Sequence, residues 1–327
     1  MRLRAFLQIP LLAAVLLAPA LISGQPNNKV TTKTWTPPRT ADGQPDLQGL
    51  WTNSTITPFE RPKDLAGKEF FTPEEAAAYE KKVAANANRD RRGDTAEADV
   101  AGAYNDFWFE RGSKVVPTRR TSLVIDPPDG RVPALTPEAQ KAAAVRAEIS
   151  RRPPEGPEDP ALPERCLLWP TAGPPMLPSG YNNNYQILQV PGYVVIFIEM
   201  IHDVRIIPLD GRPHLPKNIR QWMGDPRGRW YGNTLVVDTT NFTDKTHFRG
   251  ADENLHLVER FTRVDPNTIL YEFTVDDPTA FTKPWKAQAP FIKSAGPIYE
   301  YACHEGNYSM FNVLKGARAQ EKTAGLK

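Results

Sequence analysis

The stretch from Tyr185 to Gly211, YQILQVPGYVVIFIEMIHDVRIIPLDG, constrains this chain more than any other. Val, Ile, Phe and Tyr dominate it, the composition of strands in a sheet interior. Pro191-Gly192 interrupts it as a turn, and Leu209-Asp-Gly-Arg212 closes it with another. Within it stand Glu199, His202, Asp203 and Arg205. Burying an unpaired charge is costly, so these four need partners. Either they form a satisfied structural network or they face a ligand.

The signals downstream are nearly all β. Arg229 to Thr240 carries Gly232-Asn233, a pair suited to a two-residue hairpin. Leu255–Val264 and Thr268–Asp276 form a second hairpin around Asp265-Pro-Asn-Thr, and Trp285–Ile292 and Ile298–Ala302 add strands. Upstream, Trp51 anchors a first strand after Asp46, and Thr121–Asp126 supplies another. Helices start at two places with the same chemistry. Thr72 as N-cap, Pro73 and the acids after it begin a helix to about Asn88, and Thr136-Pro137-Glu138 begins one ending near Arg152.

Strands that follow one another without intervening helices imply an antiparallel sheet. The expected fold is therefore mainly β, an antiparallel barrel or sandwich, lipocalin-like in one version, with two helices in its N-terminal part. Residues 1–24 read as a signal peptide and 25–45 as an extended arm. Residues 46–164 read as an α+β part forming one compact unit with the antiparallel part, 165–327. Arg89–Gly102 reads as a charged loop.

A turn centred on Pro266-Asn267 sets Val264 opposite Ile269, Val258 opposite Val275 and Arg260 opposite Phe273. That register places His256, Val258, Arg260, Tyr271, Phe273, Val275 and Asp277 on one face, expected inside, and Glu259 on the other. A slip of one residue reverses the assignment.

The first residues, MRLRAFLQIPLLAAVLLAPALISGQ, have Arg2 and Arg4, an apolar region and an Ala18-Pro19-Ala20 cleavage pattern, as in a secretory signal. The competing reading, a membrane anchor, meets interruptions at Gln8, Pro10 and Pro19. Export to the periplasm or beyond brings an oxidising environment. Cys166 and Cys303, the only cysteines, are then expected as one disulfide, with buried thiols as the alternative. Lys and Arg number 40 against 38 Asp and Glu, too even a balance for nucleic acid as a partner. No later stretch is long and apolar enough to span a membrane.

The sequence lacks G-x-S-x-G, G-x-G-x-x-G and the Walker pattern, so no motif calls for a nucleotide cofactor or a serine nucleophile. Acid–base chemistry remains. His202, with Glu199 or Asp203 as its partner and His304 nearby in role, is the catalytic candidate. Arg205, Arg260, His256, Asp277, Glu305, Trp169 and Tyr185 are candidates for binding a small-molecule ligand. No cofactor is specified, and a divalent metal is the open case: His202, His256 and His304 with a carboxylate would make a catalytic site. Against this stand histidines hydrogen-bonded within a core. The aromatic cluster Tyr104–Phe109 reads as core or as a pocket wall.

Several motifs recur together: DLQGLW, YNDFWFERG, RTSLVIDPPDGR, ERCLLWPTAGPP, EMIHDVRIIPLDGRPHLP, GRWYGNTLVVDTTNF, LHLVERFTRV and YACHEGNY. They resemble a family of uncharacterised exported proteins of soil bacteria such as Acidobacteria, over most of the chain after the signal. The resemblance implies a bacterial exported protein and transfers no catalytic residue. The expected function is an exported enzyme acting on a small aromatic or sugar-derived molecule by acid–base or metal-assisted hydrolysis or elimination. The alternatives are a ligand-binding barrel without chemistry and an envelope interaction protein.

Overall fold

The turn chemistry at Pro191-Gly192 and Gly232-Asn233 produces the hairpins it announces. A computed structural model describes residues 35–87, 94–102 and 109–325. Strands β3 (Asn184–Val190) and β4 (Tyr193–Ile198) pair across a turn that sets Val190 opposite Tyr193. Strands β6 (Asp225–Tyr231) and β7 (Thr234–Thr240) do the same, with Tyr231 opposite Thr234. With β1 (Gly49–Thr52), β2 (Val124–Asp126), β5 (Val204–Pro208), β8 (His256–Asp265), β9 (Thr268–Asp276), β10 (Trp285–Gln288) and β11 (Phe291–Lys293) they form one sheet. Its order is β5-β4-β3-β1-β11-β9-β8-β7-β6, every pairing is antiparallel, and β10 bridges β9 to β2.

The protein is therefore mainly β, and the sheet curls until its two ends, β5 and β6, lie side by side without a ladder between them. The result is a nearly closed barrel. Gly228 makes the close approach of these ends feasible. A Cβ there would stand 2.6 Å from Leu209 Cδ2 and 2.8 Å from Ile207 Cγ2. Gly228→Ala should therefore lower stability by about 1–3 kcal/mol through overpacking, read as a lower midpoint in urea. An unchanged midpoint would show that the seam is loose.

Period-two alternation fills the inside. Ile187, Ile196, Ile198, Ile207, Leu235, Val237, Leu257 and Ile269 are all fully buried. Tyr185 stacks on Phe291 at 4.9 Å, and Phe261 and Tyr271 join the same aromatic cluster. Trp285 is ringed by Phe59, Phe248, Phe273 and Phe281. A lipocalin-type hollow is thus occupied by the protein's own side chains.

The β8–β9 register differs from the expected one. Val258 faces Thr274 and Phe261 faces Tyr271, while Asp265 faces Thr268. The two registers meet at a bulge that leaves Val264 unpaired. That one extra residue turns the β8 side chains over. Glu259 and Arg263 go inside, and His256, Val258 and Arg260 go outside, whereas the β9 face is as expected.

Among the described residues four α-helices lie outside the sheet. Helix α1 (Pro73–Asn86) starts with a full capping box between Thr72 and Glu75, and α3 (Pro137–Ile149) starts on Thr136. Two others were not expected. Part of the presumed loop at Arg89–Gly102 is helix α2 (Ala96–Gly102), and the C-terminal part ends in α4 (Tyr308–Thr323). The segment from Ile298 to Ala302 is not a strand. Its backbone instead serves the side chains of Glu199 and His202. Residues 1–34, which include the segment expected as a signal peptide and the first part of the expected arm, and residues 103–108, which include all of the aromatic cluster but Phe109, lie outside the described residues. Among the described residues no helix is long and apolar enough to cross a membrane.

Candidate functional site

The turn between β4 and β5 departs from regular backbone. Ile201 and His202 sit in succession in the left-handed region, at φ 60° and 49°. A β-branched residue there is an outlier costing on the order of 1–3 kcal/mol. The turn survives because its neighbours hold it. Ile198 N donates to Asp203 O at 2.8 Å, Glu199 N to Asn184 O at 3.0 Å, and the Ile201 side chain is buried. The consequence is an exposed His202 beside a half-buried Asp203.

Glu199 is fully buried and fully used. Its carboxylate accepts from Asn184 Nδ2 at 2.8 Å and from Tyr299 N at 2.9 Å. It therefore anchors the segment 299–304 against the barrel and does not touch the His202 ring. That segment supplies Tyr301 O, 2.9 Å from His202 Nδ1. A carbonyl only accepts, so Nδ1 carries the proton and the neutral ring keeps its lone pair on Nε2. His304 follows, its ring centroid 6.5 Å from that of His202. Cys166 and Cys303 form a disulfide with Cα atoms 5.8 Å apart, tying this segment to the chain before β3. Glu305 is exposed beside it in a shallow cleft of about 310 Å³.

Asp203 is the perturbed group. Burial pushes its carboxyl up to about 6, against the opposing pull of His202. Its Oδ2 is enclosed without a hydrogen-bond partner among the described residues. Nearby, burial and then the Glu199 charge raise Glu110, a residue not anticipated from the sequence.

Other candidates are committed elsewhere. Arg205 is inside the barrel, bonded through both terminal nitrogens to Glu259 at 2.9 and 2.5 Å. Tyr271 Oη also donates to Glu259, at 2.8 Å, and accepts from Met176 N at 3.0 Å. Burial depresses the Arg205 pKa, and Glu259 more than reverses this, so the net shift is upward. Arg205 is thus no free anion anchor. Tyr185 is a core side chain whose Oη accepts from Asn53 Nδ2 at 3.2 Å, and burial raises its phenol. Asp277 is buried and caps a turn through Thr279 N and Ala280 N. Trp169 is half-buried against the core, 6.1 Å from the Tyr181 ring. Arg260 is exposed on the outer face.

His256 is outside as well, and the bulge explains why. Its Nε2 lies 3.1 Å from Asp238 Oδ2. His214 Nε2 reaches the same carboxylate at 3.0 Å, and His214 Nδ1 reaches Asp225 at 3.0 Å. The hydrogen bond to His256 leads the causes that hold Asp238 below its usual range, and the reciprocal bond raises His256. His202, His256 and His304 therefore do not converge. Among the described residues no group of three or more His, Cys, Asp or Glu side chains is arranged to hold a metal ion.

No protein-family model matches the chain, and no curated protein matches it in sequence.

Proposed function

We propose that this protein is an exported enzyme that acts on a small aromatic or sugar-derived molecule by proton transfer at the β4–β5 turn, in a hydrolysis or an elimination. The observation that carries the reading is Asp203, with its carboxyl pushed up to about 6 by burial, next to an exposed His202 whose neutral tautomer, set by the bond from Nδ1 to Tyr301 O, has its lone pair on Nε2. Strained backbone and a displaced acid together are typical of functional sites. The disulfide beside the site supports an oxidising compartment.

In the hydrolytic form, His202 Nε2 takes a proton from water as the oxygen attacks the acyl carbon. The imidazolium then returns that proton to the leaving oxygen. The Asp203 carboxylate is the counter-charge for the imidazolium. His304, its ring centroid 6.5 Å from that of His202, is the candidate for a second proton-carrying group in this reading. In a screen of esters, lactones and sugar-derived elimination substrates, His202→Ala should lose activity by about 10²-fold or more. Undiminished turnover in this variant would remove the site.

The pH dependence has a definite sign. The folded-state pKa of Asp203 lies above its ordinary 3.8, so folding is penalised by its ionisation. That penalty is absent below about pH 4 and complete above about pH 6. Asp203→Asn should melt higher than the wild type at pH 7.5 and level with it at pH 4. It should also lower kcat/KM above about pH 6, where the wild-type carboxylate is ionised, and the gap from the wild type should narrow below that pH. Equal melting temperatures at both pH values would show that Asp203 is solvated.

A further inference from the structure

We infer a saccharide-binding cleft at the end of the barrel where the N-terminal arm crosses the β6–β7 hairpin. The inference is independent of the acid–base reading, because it uses none of the residues of the β4–β5 turn. The cleft measures about 530 Å³. Asp42 and Gln44 line it from the arm, Tyr193 from the start of β4, and Arg229, Trp230 and Tyr231 from the end of β6.

Its wall is built in advance. The arm folds on itself through Thr40 N and Gln44 O at 2.9 Å, and Arg39 donates to Asn233 Oδ1 of the hairpin tip at 2.8 Å. Gln189 holds the following residues by accepting from Leu47 N at 2.6 Å and donating to Pro45 O at 3.1 Å. Binding therefore needs little ordering of the chain.

The chemistry left open in the cleft is selective. Tyr193 and Tyr231 keep 37% and 59% of their surface exposed. The side chains of Asp42, Gln44 and Arg229 make no hydrogen bond or ion pair among the described residues, so a carboxylate, a carboxamide and a guanidinium remain for a ligand. Rings present flat apolar faces, and the three polar groups offer both donors and acceptors. A sugar has this composition: an apolar face of C–H groups edged by hydroxyls that both donate and accept. One carboxylate offsets one guanidinium, which disfavours a strongly anionic ligand. The uncommitted polar groups disfavour a purely apolar one. The volume suits one or two sugar rings.

The test uses the full chain and three probes, cellobiose, maltose and diacetylchitobiose, titrated while tryptophan fluorescence is followed. At least one should bind saturably in the millimolar range or tighter. Tyr231→Ala and Arg229→Ala should each weaken that binding by about tenfold or more while leaving the melting temperature unchanged, since both side chains are exposed. Failure of all three probes to bind overturns the inference. So does binding that both variants retain, or binding abolished by His202→Ala but not by Tyr231→Ala.

Discussion

Replacing Glu259 by alanine should cost about 3–5 kcal/mol of folding stability, among the largest losses of any single substitution in this protein. The reason is what remains. Arg205 is 2% exposed and both of its carboxylate bonds end on Glu259. Tyr271 Oη loses its acceptor at the same time. A guanidinium without a counter-ion inside the barrel meets a dehydration cost that water cannot relieve. Arg205→Met with Glu259→Leu should behave differently, falling within about 2 kcal/mol of the wild type or exceeding it, because neither charge is then stranded. Denaturant unfolding of Arg205→Met, Glu259→Leu and the double variant measures the coupling. Additive losses would mean that the pair is not the unit of stability.

Breaking the disulfide should have an effect of similar size. Cys166 and Cys303 are 137 residues apart, and releasing so long a loop in the unfolded chain corresponds to about 5 kcal/mol in the chain-entropy account. The paired variant Cys166→Ala, Cys303→Ala should therefore unfold at much lower denaturant. The loss has a functional side. The 299–304 segment is not a strand, and Glu199, His202, the disulfide and the packing of Tyr301 on the core hold it. Without the bridge, Tyr301 O no longer fixes the His202 tautomer, and activity should fall more steeply than stability. A variant within about 1 kcal/mol of the wild type would show that the bonds to Glu199 and His202 position this segment without the bridge.

The hairpins show which inferences local chemistry supports. The turns read at Pro191-Gly192 and Gly232-Asn233 are two-residue connections, Val190 facing Tyr193 and Tyr231 facing Thr234, and such a turn leaves one way to pair the flanking strands. In the folded chain the second sets Arg227 opposite Asp238 and so puts Asp225 and Asp238 on one face, where His214 reaches both and His256 reaches Asp238. The Asp265-Pro-Asn-Thr268 connection was not of this kind. Val264 drops out of the ladder, and the inside of β8 becomes the outside. Arg260 and His256 were therefore read as pocket residues when Glu259 and Arg263 are the inward ones.

The β4–β5 turn was legible only as a conflict. Four ionisable residues in an apolar run announced that something had to be satisfied, and the run held no information on where the partners were. Arg205 found Glu259, 54 residues later, and Glu199 found the backbone of Tyr299, 100 residues later. Alternation and turn chemistry act between neighbours, and so the antiparallel β class and the capped starts of α1 and α3 could be read from residues alone; the disulfide was read from the cysteine count and the expected compartment. The curl that brings β5 against β6 at Gly228, the bulge at Val264 and the left-handed backbone that exposes His202 depend on contacts between distant segments. Only the folded chain supplies the side chains against which those choices are made.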